Sequence, residues 1–209
     1  MTEHAVVIAG GGPTGMMLAG ELAFAGVNVA IVERRTTQDP VANARAGLSS
    51  APSRCSISVH RRSIPLAGAV AQVAGFAWIT LDISDVPTRH NYGLALGQDN
   101  IERVLAGWVG ELAVATYRGR EVTGFTQDDT GVDVELSDAR SLPADYLVGY
   151  DRGRSLIRKA AGIEFPGWDA TTSNLIAEIE MAEEPEWGLR RDALGIHSLS
   201  RMGDGDGVR

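Results

Sequence analysis

Six residues near the amino end restrict the fold of this chain more than any other stretch: Gly10-Gly11-Gly12-Pro13-Thr14-Gly15. They follow His4–Ala9 (HAVVIA), a β-branched apolar run that suits a strand buried on both faces. After them, Met16, Met17, Leu18, Leu22 and Ala23 recur near the helical period, and Gly26 supplies a helix stop. Val27–Val32 (VNVAIV) is a second buried strand, and Glu33 closes it eighteen positions after Gly15. Strand, tight turn, helix, strand and acid in this order define a dinucleotide site. Gly10 permits the sharp turn out of the strand. Gly12 leaves room for main chain to approach a diphosphate. Gly15 lets the helix lie close to the strand. The helix start offers unpaired N–H groups and partial positive charge to phosphates, and Glu33 can accept from ribose hydroxyls. Pro13 and Thr14 sit inside the turn and are counted with the cofactor contacts, as is Arg34 beside Glu33. The acid disfavours a 2′-phosphate by charge repulsion. The choice between NAD and FAD stays open on these residues alone.

Composition narrows the function classes. Lys plus Arg is 19 against 27 Asp plus Glu, a net charge of −8, which argues against nucleic acid. The apolar runs are too short to span a bilayer, and no secretory leader is legible, so a soluble cytoplasmic protein is expected. A single cysteine, Cys55, excludes a disulfide framework. His4, His60, His90 and His197 share no ligand spacing, so no metal site is expected. The four tryptophans are read as packing residues.

Further along, Ala67–Phe76 and Trp78–Ile83 read as apolar stretches around a possible helix and strand. Asn100–Leu112 is an amphipathic helix with Ile101, Val104, Leu105, Trp108 and Leu112 on one face and Glu102 on the wet side. Val114–Tyr117, Arg120–Gln127, Val132–Leu136 and Leu142–Ala144 read as short strands of a β insertion, with a hairpin turn at Asp128–Gly131. Asp145–Val148 is another strand, Ser155–Ala161 a helix, and Asn174–Met181 an alternating, half-buried strand. Ser200–Arg209 reads as a frayed polar tail.

Four patterns in order carry a family resemblance: G-G-G-P-T-G, then NARAG at 43–47, then Q-x-x-x-E-R-V-L from Gln98, then D-x-G-R-S-x-x-R from Asp151. Together they resemble the class A FAD-dependent monooxygenases, the aromatic and polyketide hydroxylases of the p-hydroxybenzoate hydroxylase fold. The resemblance implies an α/β fold: a Rossmann-like FAD-binding domain over 1–166, a parallel sheet with a β insertion, and the start of a substrate-binding β-sheet over 167–209. It implies FAD as cofactor, NAD(P)H as transient reductant and a small aromatic molecule as substrate. Gly10, Gly12 and Gly15 would cradle the FAD diphosphate and Glu33 the adenosine ribose. Arg45 would reach the flavin side, Gln98 would contact the cofactor, and Asp151 would serve both FAD and the passing nicotinamide cofactor. Arg154 and Arg158 match the last pattern by position only. No catalytic acid or base is discernible. Two alternatives stand beside this reading: a non-catalytic truncated dinucleotide-binding fragment, and an NAD-binding subunit of a split oxidoreductase.

Three departures accompany the resemblance. The family's Asp-Gly reads Asp151-Arg152 here, and arginine would be strained wherever the backbone needs positive φ. The chain ends at Arg209, ahead of the family's further motifs, so a truncated form is expected. Residues 49–65 (SSAPSRCSISVHRRSIP) carry no helical stripe where the family has an amphipathic helix. With suitable codons, Ala51–Val59 read one frame over yields Arg-Thr-Ile-Glu-Val-Leu-Asp-Gln-Arg, which has that stripe, so this stretch reads as a frameshifted segment. Sequencing the gene across codons 45–75 is expected to show a helix-forming alternative frame there. Codons giving no such helix in either other frame remove the frameshift.

Overall fold

The computed structural model describes residues 3–37, 48–50, 69–76, 79–88, 91–173, 175, 177, 180–193 and 195–199. The chain forms two compact units, Met1–Asp169 and Ala170–Arg209. In the first, β1 (His4–Ala9), α1 (Pro13–Phe24) and β2 (Val29–Glu33) follow the expected order. Then come β3 (Leu48–Ser50), β4 (Ala69–Ala71), β5 (Val73–Phe76), β6 (Ile79–Asp82), β7 (Gly93–Gly97) and α2 (Gln98–Glu111). The unit continues with β8 (Ala115–Arg118), β9 (Val122–Asp128), β10 (Gly131–Leu136), β11 (Ser141–Gly149) and α3 (Leu156–Ala160).

One six-stranded sheet organises the first unit, in the order β8-β2-β1-β11-β10-β9. The strands β8, β2, β1 and β11 are mutually parallel, and β10 and β9 continue antiparallel. Val6 pairs with Val29 and Ile8 with Ile31 on one side, and Val6 with Tyr146 and Ile8 with Val148 on the other. Side chains alternate across a strand, so β1 and β2 feed two layers. Val6, Ile8, Val29 and Ile31 pack with Met16, Ala19, Leu105 and Trp108 under α1 and α2. Val7, Ala9, Ala30 and Val32 pack with Val132, Val134, Leu142 and Ile157. This double coverage explains why both strands are continuous apolar runs. Ile8 and Ile31 are at 0% and 1% exposure, and burial of each such side chain contributes roughly 1.5–3 kcal/mol.

Local chemistry sets the helix ends. Pro13 occupies the first turn of α1, where its missing N–H costs nothing. Gly26, at φ +81°, turns the chain off the helix. A Cβ on Gly20 would overlap the Trp108 ring, so this glycine is what lets α2 press its indole onto α1.

Several expectations are corrected. The possible helix over Ala67–Phe76 is strand at its described residues: β4 pairs with β7 (Ala69 with Ala95), and β5 with β6 (Val73 with Asp82). A short apolar run with Val70 and Val73 fits either element, and the available ladder decides. Leu142–Ala144 and Asp145–Val148 are not two strands but the single β11. That strand is antiparallel to β10 over Ser141–Ala144 and parallel to β1 over Ala144–Gly149, so the β insertion is a continuation of the main sheet. Leu175, Ala177, Glu180 and Met181, the described residues of the expected strand over Asn174–Met181, lie in no strand and are exposed. An alternating strand needs a covered face and a partner ladder, and the described structure gives these residues neither. The second unit instead holds a hairpin of β12 (Gly188–Asp192) and β13 (Gly195–Leu199). Trp108 packs in the core at 3% exposure, but Trp168 is fully exposed and Trp187 is 41% exposed with its Nε1 donating to Glu184 Oε1 at 2.7 Å. Trp78, Cys55, the 43–47 loop, residues 51–65 and Ser200–Arg209 lie outside the described residues. Among the described residues no helix is long and apolar enough to cross a membrane, and no cluster of His, Cys, Asp or Glu could hold a metal.

Candidate dinucleotide site

The chain leaves β1 toward β2 on one side and returns by β11 on the other, so the strand order reverses at the carboxyl end of β1. Crevices at such reversal points are where open α/β sheets bind ligands. The glycine turn occupies this place. Gly10 N–H donates to Val32 O at 2.8 Å, and Tyr150 N–H donates to Ala9 O at 2.8 Å, which stitches the ends of β2, β1 and β11 together. Gly10 stands at φ +118°, and a Cβ on it would collide with the Tyr150 carbonyl. A Cβ on Gly15 would collide with Gly10 O, so the helix cannot seat with any larger residue there. Gly12 differs: its backbone is extended, and a Cβ would meet nothing within 4 Å among the described residues. No described residue therefore covers Gly12, at a helix start that has no side-chain cap and no acid in its first turn.

Beneath the turn lies Glu33, 7% exposed. Its Oε2 accepts from Gly11 N–H at 2.7 Å, and its Oε1 accepts from Arg35 N–H at 2.8 Å and Arg35 Nε at 3.3 Å. Burial by itself raises the Glu33 pKa. The amides of Arg35 and Gly11 and the Arg35 guanidinium outweigh it and hold the carboxyl below its ordinary value of 4.5. Arg35 Nη1 also donates to Glu102 Oε2 at 3.0 Å, and Gln98 Nε2 donates to Glu102 Oε1 at 3.0 Å.

Across the crevice, Asp151 follows β11. Its Oδ2 accepts from Leu156 N–H at 2.6 Å and Ile157 N–H at 3.2 Å, so it caps α3 together with Ser155, whose Oγ accepts from Arg158 N–H at 2.9 Å. Its Oδ1 is buried and has no hydrogen-bond partner among the described residues, an unusual state for a carboxylate oxygen. Burial raises this carboxyl's pKa, and hydrogen bonds from Ser155, Ile157 and Leu156 bring it below the ordinary value. Arg152, where the resembling family has glycine, stands at φ +76°.

The structure thus gathers Gly10, Gly12, Pro13, Thr14, Gly15, Glu33 and Asp151 around one turn, with Gln98 joined through Glu102 and Arg35. Arg34 is exposed beside them, and Arg45 lies outside the described residues. Arg103 turns to Asn100 Oδ1 at 2.7 Å on the exposed side of α2. Arg158 is taken up by the chain itself, donating to Ile163 O at 2.9 Å and lying 5.2 Å over the Phe165 ring. Glu102 corrects the expectation of a wet face: it is 3% exposed and ion-paired. Two residues were missed by sequence reasoning. Arg35 is two positions past Glu33, and a period of two puts it, rather than Arg34, beside that acid. Glu102 is four past Gln98, on the same helix face.

The uncovered Gly12, the uncapped helix start and the Asp151 oxygen without a partner among the described residues fit an adenine dinucleotide carrying phosphates and hydroxyl donors. The comparisons agree. The model of the FAD binding domain family matches residues 3–199, and the chain belongs to that family. It is 38% identical over 185 residues to a rifampicin monooxygenase of Streptomyces venezuelae, covering 87% of this chain and 38% of that protein. It is 35% identical over 199 residues to the 12-dehydrotetracycline 5-monooxygenase/anhydrotetracycline 6-monooxygenase of Streptomyces rimosus, covering 87% of this chain and 37% of that protein. Among solved structures, CabE, an aromatic hydroxylase from angucycline biosynthesis, superposes with a TM-score of 0.75 at 29% identity, over 98% of this chain and 42% of that one. The chain therefore spans well under half the length of these relatives, and what they share with it is the FAD-binding portion with its Rossmann-like mixed sheet.

Two outcomes are expected. A non-glycine residue at left-handed φ costs ~1–2 kcal/mol, while glycine adds ~0.5–1 kcal/mol of unfolded-state entropy. Arg152→Gly is therefore expected to stabilise the fold by roughly 0.5–1 kcal/mol in urea titration. Since the native Glu33 pKa lies below its unfolded value of 4.5, its stabilisation is complete above that pH and fades as pH falls through the native value. Glu33→Gln is expected to cost about 1–3 kcal/mol at neutral pH. The gap to wild type should narrow as pH falls below 4.5 and through the native value, and a gap that widens on acidification contradicts the assignment.

Proposed function

We propose that this chain is the FAD-binding part of a flavin-dependent monooxygenase that hydroxylates an aromatic or polyketide-like small molecule with NAD(P)H and O2. The observation that carries the reading is the uncovered Gly12 at the sheet's reversal point, at the uncapped start of α1, with an ionised Glu33 beneath the turn and an Asp151 oxygen that has no partner among the described residues.

In this reading the amides from Gly10 to Gly15 and the start of α1 take the diphosphate. Glu33, with Arg34 beside it, faces the adenosine ribose. Gln98 contacts the cofactor, Arg45 reaches its flavin side, and the Asp151 Oδ1 accepts from a ligand hydroxyl. When bound, FAD supplies the redox chemistry between NAD(P)H and O2 that no side chain can. The chain's own part is to bind and orient, and no residue of it is assigned as acid or base. The acidic net charge of −8 suits a small-molecule ligand better than nucleic acid. A cytoplasmic location suits a consumer of NAD(P)H.

The test is to purify the full chain, incubate it with FAD, remove the excess and record the visible spectrum and flavin fluorescence. Retained flavin, not displaced by excess NAD, is the expected result. NAD(P)H oxidation by the loaded protein supports the monooxygenase assignment. Retained flavin without oxidation reassigns the chain to a non-catalytic dinucleotide-binding fragment. A colourless protein overturns the reading.

A further inference from the structure

The residue that binds the most parts of this site together is one that no sequence pattern assigns. Arg35 follows β2, and its side chain reaches three separate places. Its Nε pairs with Glu33 Oε1 at 3.3 Å, its Nη1 with Glu102 Oε2 at 3.0 Å, and its Nη2 donates to Gly11 O at 3.2 Å. Both carboxylates are nearly inaccessible, with side-chain exposures of 8% for Glu33 and 3% for Glu102, and Arg35 itself is at 16%.

Two consequences follow from this geometry. First, Gly11 is held by both of its polar main-chain groups: its N–H by Glu33 Oε2 at 2.7 Å and its carbonyl by Arg35. With Gly11 tied inward, the next residue, Gly12, is covered by no described residue. Second, the network runs on from Arg35 through Glu102 to the Gln98 amide on α2. The glycine turn and the helix carrying Gln98 are thus connected by one guanidinium. Only a planar fork makes three such contacts at once; an ammonium on a flexible stem could satisfy one or two. Two buried acids flank one partly buried cation, and removing the cation takes from both carboxylates a charge that offsets their burial.

We propose that Arg35 is a positioning residue for the dinucleotide site: it presets the glycine turn and Glu33 on one side and Gln98 on the other, so that the bound cofactor finds these contacts in place. This rests on the reading of the crevice as an FAD site. The partners that face Glu33 are the Gly11 amide from the turn and Arg35 from the end of β2. Arg118 of β8 is its register neighbour, and Glu102 of α2 acts through Arg35.

The experiment measures FAD affinity of the full chain by flavin fluorescence titration, below the melting point of every variant as judged by circular dichroism. The variants are Arg35→Met, Arg35→Lys, Glu102→Gln, the Arg35→Met/Glu102→Gln double, and Val134→Ala. Val134 lies in β10, separated from β1 by β11, and is fully buried, so its truncation lowers Tm while leaving every hydrogen bond of the Arg35 network in place. Arg35→Met is expected to weaken FAD at least tenfold, and Arg35→Lys to recover only part of that. The double variant should bind within about twofold of Arg35→Met, because both changes break one network. Val134→Ala should lower Tm and leave the affinity within about twofold of wild type. Arg35→Met that binds FAD like wild type, or that loses no more affinity than Val134→Ala, overturns the positioning role alone. Wild-type protein with no flavin affinity overturns the functional reading and the positioning role with it.

Discussion

Where β1 ends, three main chains converge within hydrogen-bond distance, and the site depends on that convergence. Gly10 N–H reaches Val32 O, Tyr150 N–H reaches Ala9 O, and the Tyr150 carbonyl lies against the Gly10 α-carbon. A side chain at Gly10 would push β11 away from β1. Because β11 is also the strand on which β10 and β9 are built, the displacement would pass into the whole antiparallel half of the sheet. The turn is therefore a structural junction and a ligand cradle at once. Gly10 and Gly15 are glycines because protein atoms leave no room, whereas no described residue covers Gly12.

Electrostatics at the junction follow from the same crowding. A carboxylate as buried as Glu33 should be drawn toward its neutral form. It stays ionised because the turn supplies a main-chain N–H and the end of β2 supplies another, with a guanidinium behind them. That guanidinium in turn keeps its proton more firmly than usual because Glu102 and Glu33 outweigh its desolvation. Each member makes the others' burial tolerable, a cooperative arrangement that pairwise energies understate. Asp151 is the opposite case: one of its oxygens is used in capping α3 and the other has no partner among the described residues.

Elements dominated by local pattern were legible in the residues. The apolar run His4–Ala9 matches β1, the helix-period stripe from Ile101 to Trp108 matches α2, and the turn at Asp128–Gly131 joins β9 to β10. The elements that had to be corrected are those whose state depends on a distant partner. Ala69–Phe76 takes strand form because β7 and β6 offer ladders. Leu142 to Val148 forms one strand because β10 and β1 pair with different stretches of it. Glu102 looked like a solvated acid because an amphipathic pattern records polarity, and a buried ion pair has the same polarity as a wet one.

The residues alone determined that a glycine turn joins a buried strand to a helix and that an acid ends the next strand. Steric freedom at glycine, helical period and β-branched runs are properties of neighbours in the chain. Tertiary structure alone decided which oxygen of Glu33 faces which donor, that Arg35 rather than Arg34 enters the site, and that Glu102 is buried. Those outcomes are set by the convergence of β2, α2 and the turn, 67 positions apart for Arg35 and Glu102, and no local pattern encodes a contact made across that distance.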